Sequence, residues 1–167
     1  MNTAPDITTT TGTPALGGKY LTFALAGEEY GLPVLKVREI VKLLDITRVP
    51  QAPPHVKGVV NLRGKVTPVV DLRLKFGLAE QPYSERTCIV IVDVVLPAGR
   101  AAMGIIVDAV SEVLSIAADD IAKTPAFGER VDTTGMSGMA KVKGTVKILL
   151  DVDRVLGGDD ALTGRAA

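Results

Sequence analysis

The residues best suited to chemistry lie in the run Ile148-Leu-Leu-Asp151-Val-Asp153-Arg-Val155, where two carboxylates follow an apolar stretch two positions apart. An aspartate nucleophile with a second carboxylate as acid or base would use that spacing to cleave a phosphate ester. Only residues 156–167 follow, whereas such an Asp-nucleophile phosphatase needs its remaining sheet and metal carboxylates downstream. Gly58 to Lys65 approaches a phosphate-binding loop but has five residues between its glycines, and Val66 stands where a Ser or Thr would hold magnesium. His55 follows Pro53-Pro54 with no Ser or Cys nucleophile in an elbow beside it. Asp119-Asp120 and Asp159-Asp160 are neighbours whose side chains point apart in any regular element, so they read as solvated charges. The single Cys88 and the single His55 cannot assemble a Cys/His zinc site. The chain is therefore expected to have no catalytic site, no metal and no cofactor.

Charge and composition narrow the partners. Lys and Arg total 19, as do Asp and Glu, which removes the basic excess that phosphate-backbone binding needs. Aromatics make up 4% with no Trp, leaving few platforms for stacked bases, so nucleic acid is not an expected partner. The most apolar region, Cys88 to Val110, is broken by Asp93, Arg100, Gly104 and Asp108, so no membrane span is expected. Met1 to Gly18 carries Thr, Pro and Gly in place of a basic region and an apolar core, which predicts a disordered tail rather than a signal peptide, and a cytoplasmic protein.

The elements that would position any site are short and alternate with period 2. Tyr20–Leu25, Glu29–Leu32, Val56–Leu62, Val66–Asp71, Cys88–Val95, Ala102–Val107 and Lys147–Leu150 read as strands, most of them Val- and Ile-rich and bounded by Gly, Pro or charge. Ala26-Gly27 and Arg63-Gly64 lie between such runs as hairpin turns. Helical signals are brief: one turn opened by Pro53-Pro54-His55, Leu72 to Phe76 ending at Gly77, and Val152 to Leu156 ending at Gly157. The fold class is mainly β.

Internal repetition carries more information than any single motif. Gly58 to Gly77 lies over Gly138 to Gly157 without a gap, matching Gly58, Gly64, Val66, Asp71 and Gly77 with Gly138, Gly144, Val146, Asp151 and Gly157. Tyr30 to Ile40 lies over Met103 to Val113, pairing Gly31, Val34, Val37 and Glu39 with Gly104, Val107, Val110 and Glu112. Two copies are too few for a solenoid and predict two small β-barrels packed together. The expected division is a tail over 1–18, a domain over 19–157 with lobes at about 19–80 and 81–157 and a first strand able to join either, and a tail over 158–167.

Features in both copies belong to the scaffold. Gly64 and Gly144 are expected in hairpin turns, and Asp71 and Asp151 at strand ends where they cap short helices. The same placement of Asp71-Leu-Arg and Asp151-Val-Asp argues that the carboxylate pair is turn structure. The first copy alone has Asn61, Arg63 and Pro68, where the second has Lys141, Lys143 and Ile148. An Arg at a hairpin tip is most often a solvated charge, and its functional alternative is a planar fork that holds Glu39 or a partner's backbone.

Tyr30-Gly-Leu-Pro-Val-Leu-Lys-Val-Arg-Glu-Ile40, then Gly58-Val-Val-Asn-Leu-Arg-Gly64 and Pro68-Val-Val-Asp-Leu-Arg73, resemble the CheW family of chemotaxis coupling proteins, and the likeness continues through Gly104 to Val113. It spans about Lys19 to Leu156. The resemblance implies two SH3-like five-stranded barrels around a shared apolar core and no catalysis. It implies two partners, the cytoplasmic tips of chemoreceptors and the regulatory domain of the histidine kinase CheA, for a chain that is monomeric alone and part of a receptor array in cells. It places Val37, Glu39, Gly58, Asn61 and Arg63 at the receptor groove, and Thr87 and Cys88 near the kinase surface. The polar segment between Phe127 and Met136 departs from the family pattern. A CheW-like scaffold in a non-flagellar receptor array is the alternative within the same class.

Overall fold

The computed structural model describes residues 17–78, 82–97, 99–122 and 135–157. Among the described residues eleven strands build two sheets. β1 (Gly18–Leu25) and β2 (Glu28–Pro33) form a hairpin, and a 3-10 turn at Val34–Lys36 leads into β3 (Val37–Lys42). β4 (Val56–Leu62) and β5 (Lys65–Asp71) form the next hairpin, followed by the one-turn helix α1 (Leu72–Lys75). β6 (Cys88–Leu96), β7 (Gly99–Val107) and β8 (Ala109–Ile116) come next, then the two-residue β9 (Ile121–Ala122), β10 (Met136–Val142), β11 (Thr145–Leu150) and α2 (Val152–Gly157).

Every expected strand is present, with no end moved by more than three residues and Val56–Leu62 unmoved. β3, β8 and β10 carry too many charged, Ser or Gly residues to announce themselves. In β3, half-buried Val37, Glu39 and Val41 alternate with exposed Arg38, Ile40 and Lys42, a half-buried edge strand. The segment at Pro53-Pro54-His55 is a turn closed by the Val56 N–H on the Pro53 carbonyl at 3.0 Å, not a helix, because β4 begins at once.

One sheet runs β3-β6-β7-β5-β4 and the other β8-β1-β2-β11-β10-β9. The first is five-stranded as expected. The second has a sixth member because Ile121 and Ala122 pair with Ala140 and Met139; in the first sheet the matching contact is only an isolated bridge, Thr47 to Val59. The sheets do not follow the chain halves 19–80 and 81–157. β1 and β2 join second-half strands, while β6 and β7 join first-half strands. The chain crosses between the sheets at the link after each hairpin: Val34–Lys36 separates β2 from β3, and Asp108 alone separates β7 from β8. Each hairpin therefore lies in the other copy's sheet. There it pairs in parallel, Tyr30 beside Ile148 and Gly104 beside Val69.

Exchange buries the exchanged strands on both faces, which explains their continuous apolar runs. In β6, Val90, Val92 and Val94 enter a large core between the sheets, and Ile89 and Ile91 enter a smaller core within the five-stranded sheet. Leu21, Phe23 and Leu25 of β1 meet the same central core, and Tyr20 joins Ile116, Ala140 and Leu149 in a third. Phe23, Tyr30 and Phe76 stack in series across the centre with ring centroids 5.9 Å apart.

The repeat extends to irregularities. The Val56/Gly58 bulge matches the Met136/Gly138 bulge, and the shift at Val37/Glu39 on β3 matches the shift opposite Glu112 and Val110 on β8. A Cβ on Gly58 would strike the Thr47 carbonyl oxygen, and one on Gly138 would come 2.8 Å from Ile121 Cγ2. Each copy fastens its helix across the sheets, with inverted charge. Arg73 of α1 is buried and holds Asp71, while its Nη1 donates to Asp108 at 3.3 Å; Asp108 in turn accepts the Ala26 N–H at 2.9 Å. Asp153 of α2 instead accepts from Lys36 Nζ at 3.0 Å and from the Val95 N–H at 2.8 Å.

Candidate functional site

Both residues of the β4–β5 turn have positive φ, 52° at Arg63 and 88° at Gly64, as a two-residue type I′ hairpin requires. Lys143 and Gly144 repeat it at 52° and 82°. The glycine is thus only half of the turn, since Arg63 and Lys143 themselves occupy the left-handed region. Asn61 Oδ1 accepts the Gly64 N–H at 2.7 Å, so this side chain stiffens the turn that presents Arg63.

Arg63 projects from the β4–β5 tip toward β3 and grips Glu39 through both Nη atoms, Nη1 donating to Oε1 at 3.1 Å and Nη2 to Oε2. The pair joins the two edge strands of the five-stranded sheet, with Arg63 69% exposed and Glu39 30%. The hydrogen bond from Arg63, opposed by desolvation and aided by the charges of Arg63 and Arg38, holds the Glu39 carboxyl below its usual value. The Arg63 guanidinium is raised in turn, first by its hydrogen bond to Glu39. Arg38 and Lys65 complete a charged rim, and Leu62, Thr67, Ile91 and Ala102 floor the depression of about 230 Å³ inside it. An apolar floor supplies contact area and a forked ion pair at the rim fixes orientation.

Glu39 and Arg63 are therefore brought together. Val37 is half-buried against the central core, Gly58 meets a demand of the backbone, and Asn61 braces the turn; none of these three lines the depression. Thr87 is buried, and its Oγ1 accepts the Ser84 N–H at 2.8 Å. It borders a separate hollow with Ala26, Gly27 and Asp108. Cys88 begins β6 between Lys42 and Val107, and burial raises its thiol pKa, partly offset by a backbone hydrogen bond with Val110.

Asp71 caps α1, its Oδ1 accepting the Arg73 N–H at 2.9 Å, and Asp151 Oδ1 accepts the Asp153 N–H at 3.1 Å. Both Asp153 oxygens are also engaged, so the carboxylate pair that suggested phosphate chemistry is structural. Among the described residues no group of three or more His, Cys, Asp or Glu is placed to hold a metal, and no helix is long and apolar enough to cross a membrane. Sequence reading missed Arg38, Leu62, Lys65, Thr67, Ile91 and Ala102 as lining, because five strands bring them together. It also missed Arg73, whose type gives no sign of burial. Residues 1–16 of the expected N-terminal tail, the tail over 158–167 and residues 127–134 lie outside the described residues, and Gly18, expected in the tail, already begins β1.

Two sheets that exchange hairpins and carry a charge-rimmed depression on the first of them define a duplicated, mainly β fold. The CheW-like domain profile matches residues 19–159, and the chain belongs to that family. The chemotaxis protein CheW of Klebsiella aerogenes is 36% identical over 145 residues, 87% of this chain and 85% of its own. The Bacillus subtilis protein of the same name is 33% identical over 84% of this chain and 87% of its own. Among solved structures, the scaffolding protein TtCheW of Thermoanaerobacter tengcongensis superposes with a TM-score of 0.74 at 35% identity, covering 84% of this chain and 92% of that one.

Proposed function

We propose that the chain is a non-catalytic adaptor of bacterial chemotaxis that couples chemoreceptors to the histidine kinase CheA, and that the depression behind Glu39 and Arg63 receives the tip of a receptor's helical hairpin. The observation that carries this reading is the exposed, forked Glu39–Arg63 pair over an apolar floor in the first copy. The second copy builds the same turn with Lys143, so the fold needs a side chain that tolerates positive φ there but not a guanidinium. Family membership supports the role and both partners. For Thr87 and Cys88 as kinase contacts the support is resemblance alone, since the Thr87 hydroxyl is engaged inside its own turn. On this reading the isolated chain is a cytoplasmic monomer that joins a receptor array; a non-flagellar array would use the same surfaces.

Receptor-fragment affinity and urea unfolding of Arg63→Ala, with Lys143→Ala as control, test the assignment. Arg63→Ala is expected to weaken receptor binding roughly thirtyfold, as loss of an interface charge held in fixed geometry does. The unfolding midpoint should stay close to wild type because the pair is exposed. Equal binding losses in the two variants, or unfolding of Arg63→Ala, would refute it.

A further inference from the structure

The repeat supplies a second copy of the depression whose lining can be compared position by position. Offsets of 80 residues from β4–β5 to β10–β11 and of 73 from β2–β3 to β7–β8 place Lys147 at the position of Thr67 and Ser111 at that of Arg38. They place Glu29 at the position of Ala102. Strand pairing places Thr22, opposite Glu112, where Ile91 lies opposite Glu39. Of the floor residues Leu62, Thr67, Ile91 and Ala102, only Leu62 keeps an apolar counterpart, Val142; Ile91 and Ala102 give way to Thr22 and Glu29, and Thr67 to a lysine.

Lys147, Glu29 and Ser111 bond to one another through their side chains. Lys147 Nζ lies 3.5 Å from Glu29 Oε1, and Ser111 Oγ donates to Glu29 Oε2 at 3.1 Å. Lys147 is 8% exposed, deep for an ammonium group. Thr22 Oγ1 donates to the Glu112 carbonyl at 2.8 Å and is itself fully buried. Burying a lysine and partly burying its carboxylate partner is a poor source of stability, because the loss of hydration consumes most of the Coulomb gain. The first sheet shows that the strands tolerate Thr and Ala at these positions. Strand geometry therefore does not explain the long charged pair.

We infer that Glu29, Ser111 and Lys147 determine specificity by filling the second sheet's copy of the depression, so that the adaptor offers the receptor hairpin one seat rather than two. The inference rests on the receptor-binding reading of the first depression. In a duplicated fold, two similar seats would let one adaptor engage two receptor tips and lose a fixed orientation between receptor and kinase. An internal ion pair blocks the unwanted seat in two ways: it occupies the space, and it leaves a charge without partner if one side chain is displaced.

The test titrates a soluble receptor signalling fragment bearing the hairpin tip into the full chain and reads stoichiometry. Wild type should bind one tip per chain. Glu29→Ala with Lys147→Thr, which reproduces the first sheet's residues, should bind a second tip about tenfold more weakly, since Lys143 lacks the fork of Arg63. That second site should survive addition of Arg63→Ala. The converse variant, Thr67→Lys with Ala102→Glu, should lose at least tenfold in affinity while its melting curve stays cooperative. A stoichiometry of one for the opened variant, or wild-type affinity for the converse variant, overturns the inference. If Arg63→Ala alone leaves wild-type binding intact, the receptor-groove reading fails first, which is a separate result, and this inference falls with it.

Discussion

Replacing Arg73 with Met keeps an unbranched, flexible stem and removes the guanidinium charge from a site that is 1% exposed. Asp71, which has no exposed surface, accepts three hydrogen bonds from Arg73, from the backbone N–H at 2.9 Å, Nε at 3.1 Å and Nη2 at 3.0 Å. Only the backbone donor survives the substitution. Breaking a buried pair from one side leaves an uncompensated charge and costs about 3–5 kcal/mol. Against a total of roughly 5–15 kcal/mol for a domain, that is a large fraction. Asp108 adds little to the loss, because its side chain is 32% exposed and rehydrates when Nη1 departs. Loss of the guanidinium above the Tyr83 ring, 5.9 Å away, adds about 0.5–1 kcal/mol. Asp71→Asn with Arg73→Met removes both charges yet keeps an acceptor for the α1 cap, so it should cost clearly less than Arg73→Met alone. Asp153→Ala, in the partly exposed clasp of the other copy, should cost about 1 kcal/mol. Urea unfolding with a shared m-value measures all three. A cost under about 1 kcal/mol for Arg73→Met, or a double variant as unstable as the single, would refute the claim that the Asp71 charge is what Arg73 compensates.

Glu39 titrates below its ordinary value, chiefly through the hydrogen bond from Arg63, so the pair is intact above the unfolded carboxylate pKa and is lost as pH falls through the lower folded value. Receptor-fragment affinity should therefore hold from neutral pH down to the ordinary carboxylate range near about 4.3 and fall only below it. Glu39→Gln should abolish that part of the pH profile. Gly58→Ala puts a Cβ against the Thr47 carbonyl at a φ of +143°, and should destabilise by about 1–3 kcal/mol, seen as a melting temperature several degrees lower. Cys88 keeps its proton more firmly than a free thiol because burial raises its pKa. Alkylation at mildly alkaline pH should be slow in the native protein and speed up sharply in denaturing urea, and equal rates would refute burial of the thiol.

The sequence alone determined the mainly β class, the seven apolar strands, the Arg63-Gly64 turn and the caps at Asp71 and Asp151, because each depends on neighbours a few residues away: alternation, turn chemistry and an acceptor before a helix. Repetition also exposed Arg63 as a departure between copies. Beyond a first strand able to join either lobe, the exchange of hairpins was illegible, because residue types specify that β2 is a strand and not which strand lies beside it; that neighbour is chosen only once the sheets assemble. The charge inversion between Arg73 and Asp153 likewise gains meaning only when each helix meets the junction of the opposite copy. The depression behind Glu39 and Arg63 draws on β3, β4, β5, β6 and β7, and no local pattern encodes a surface whose members lie as far apart as Arg38 and Ala102. Tertiary structure alone decided which side chains share a face, because the two sheets bury β6 and β7 on both sides and leave the outer edges to carry the charge.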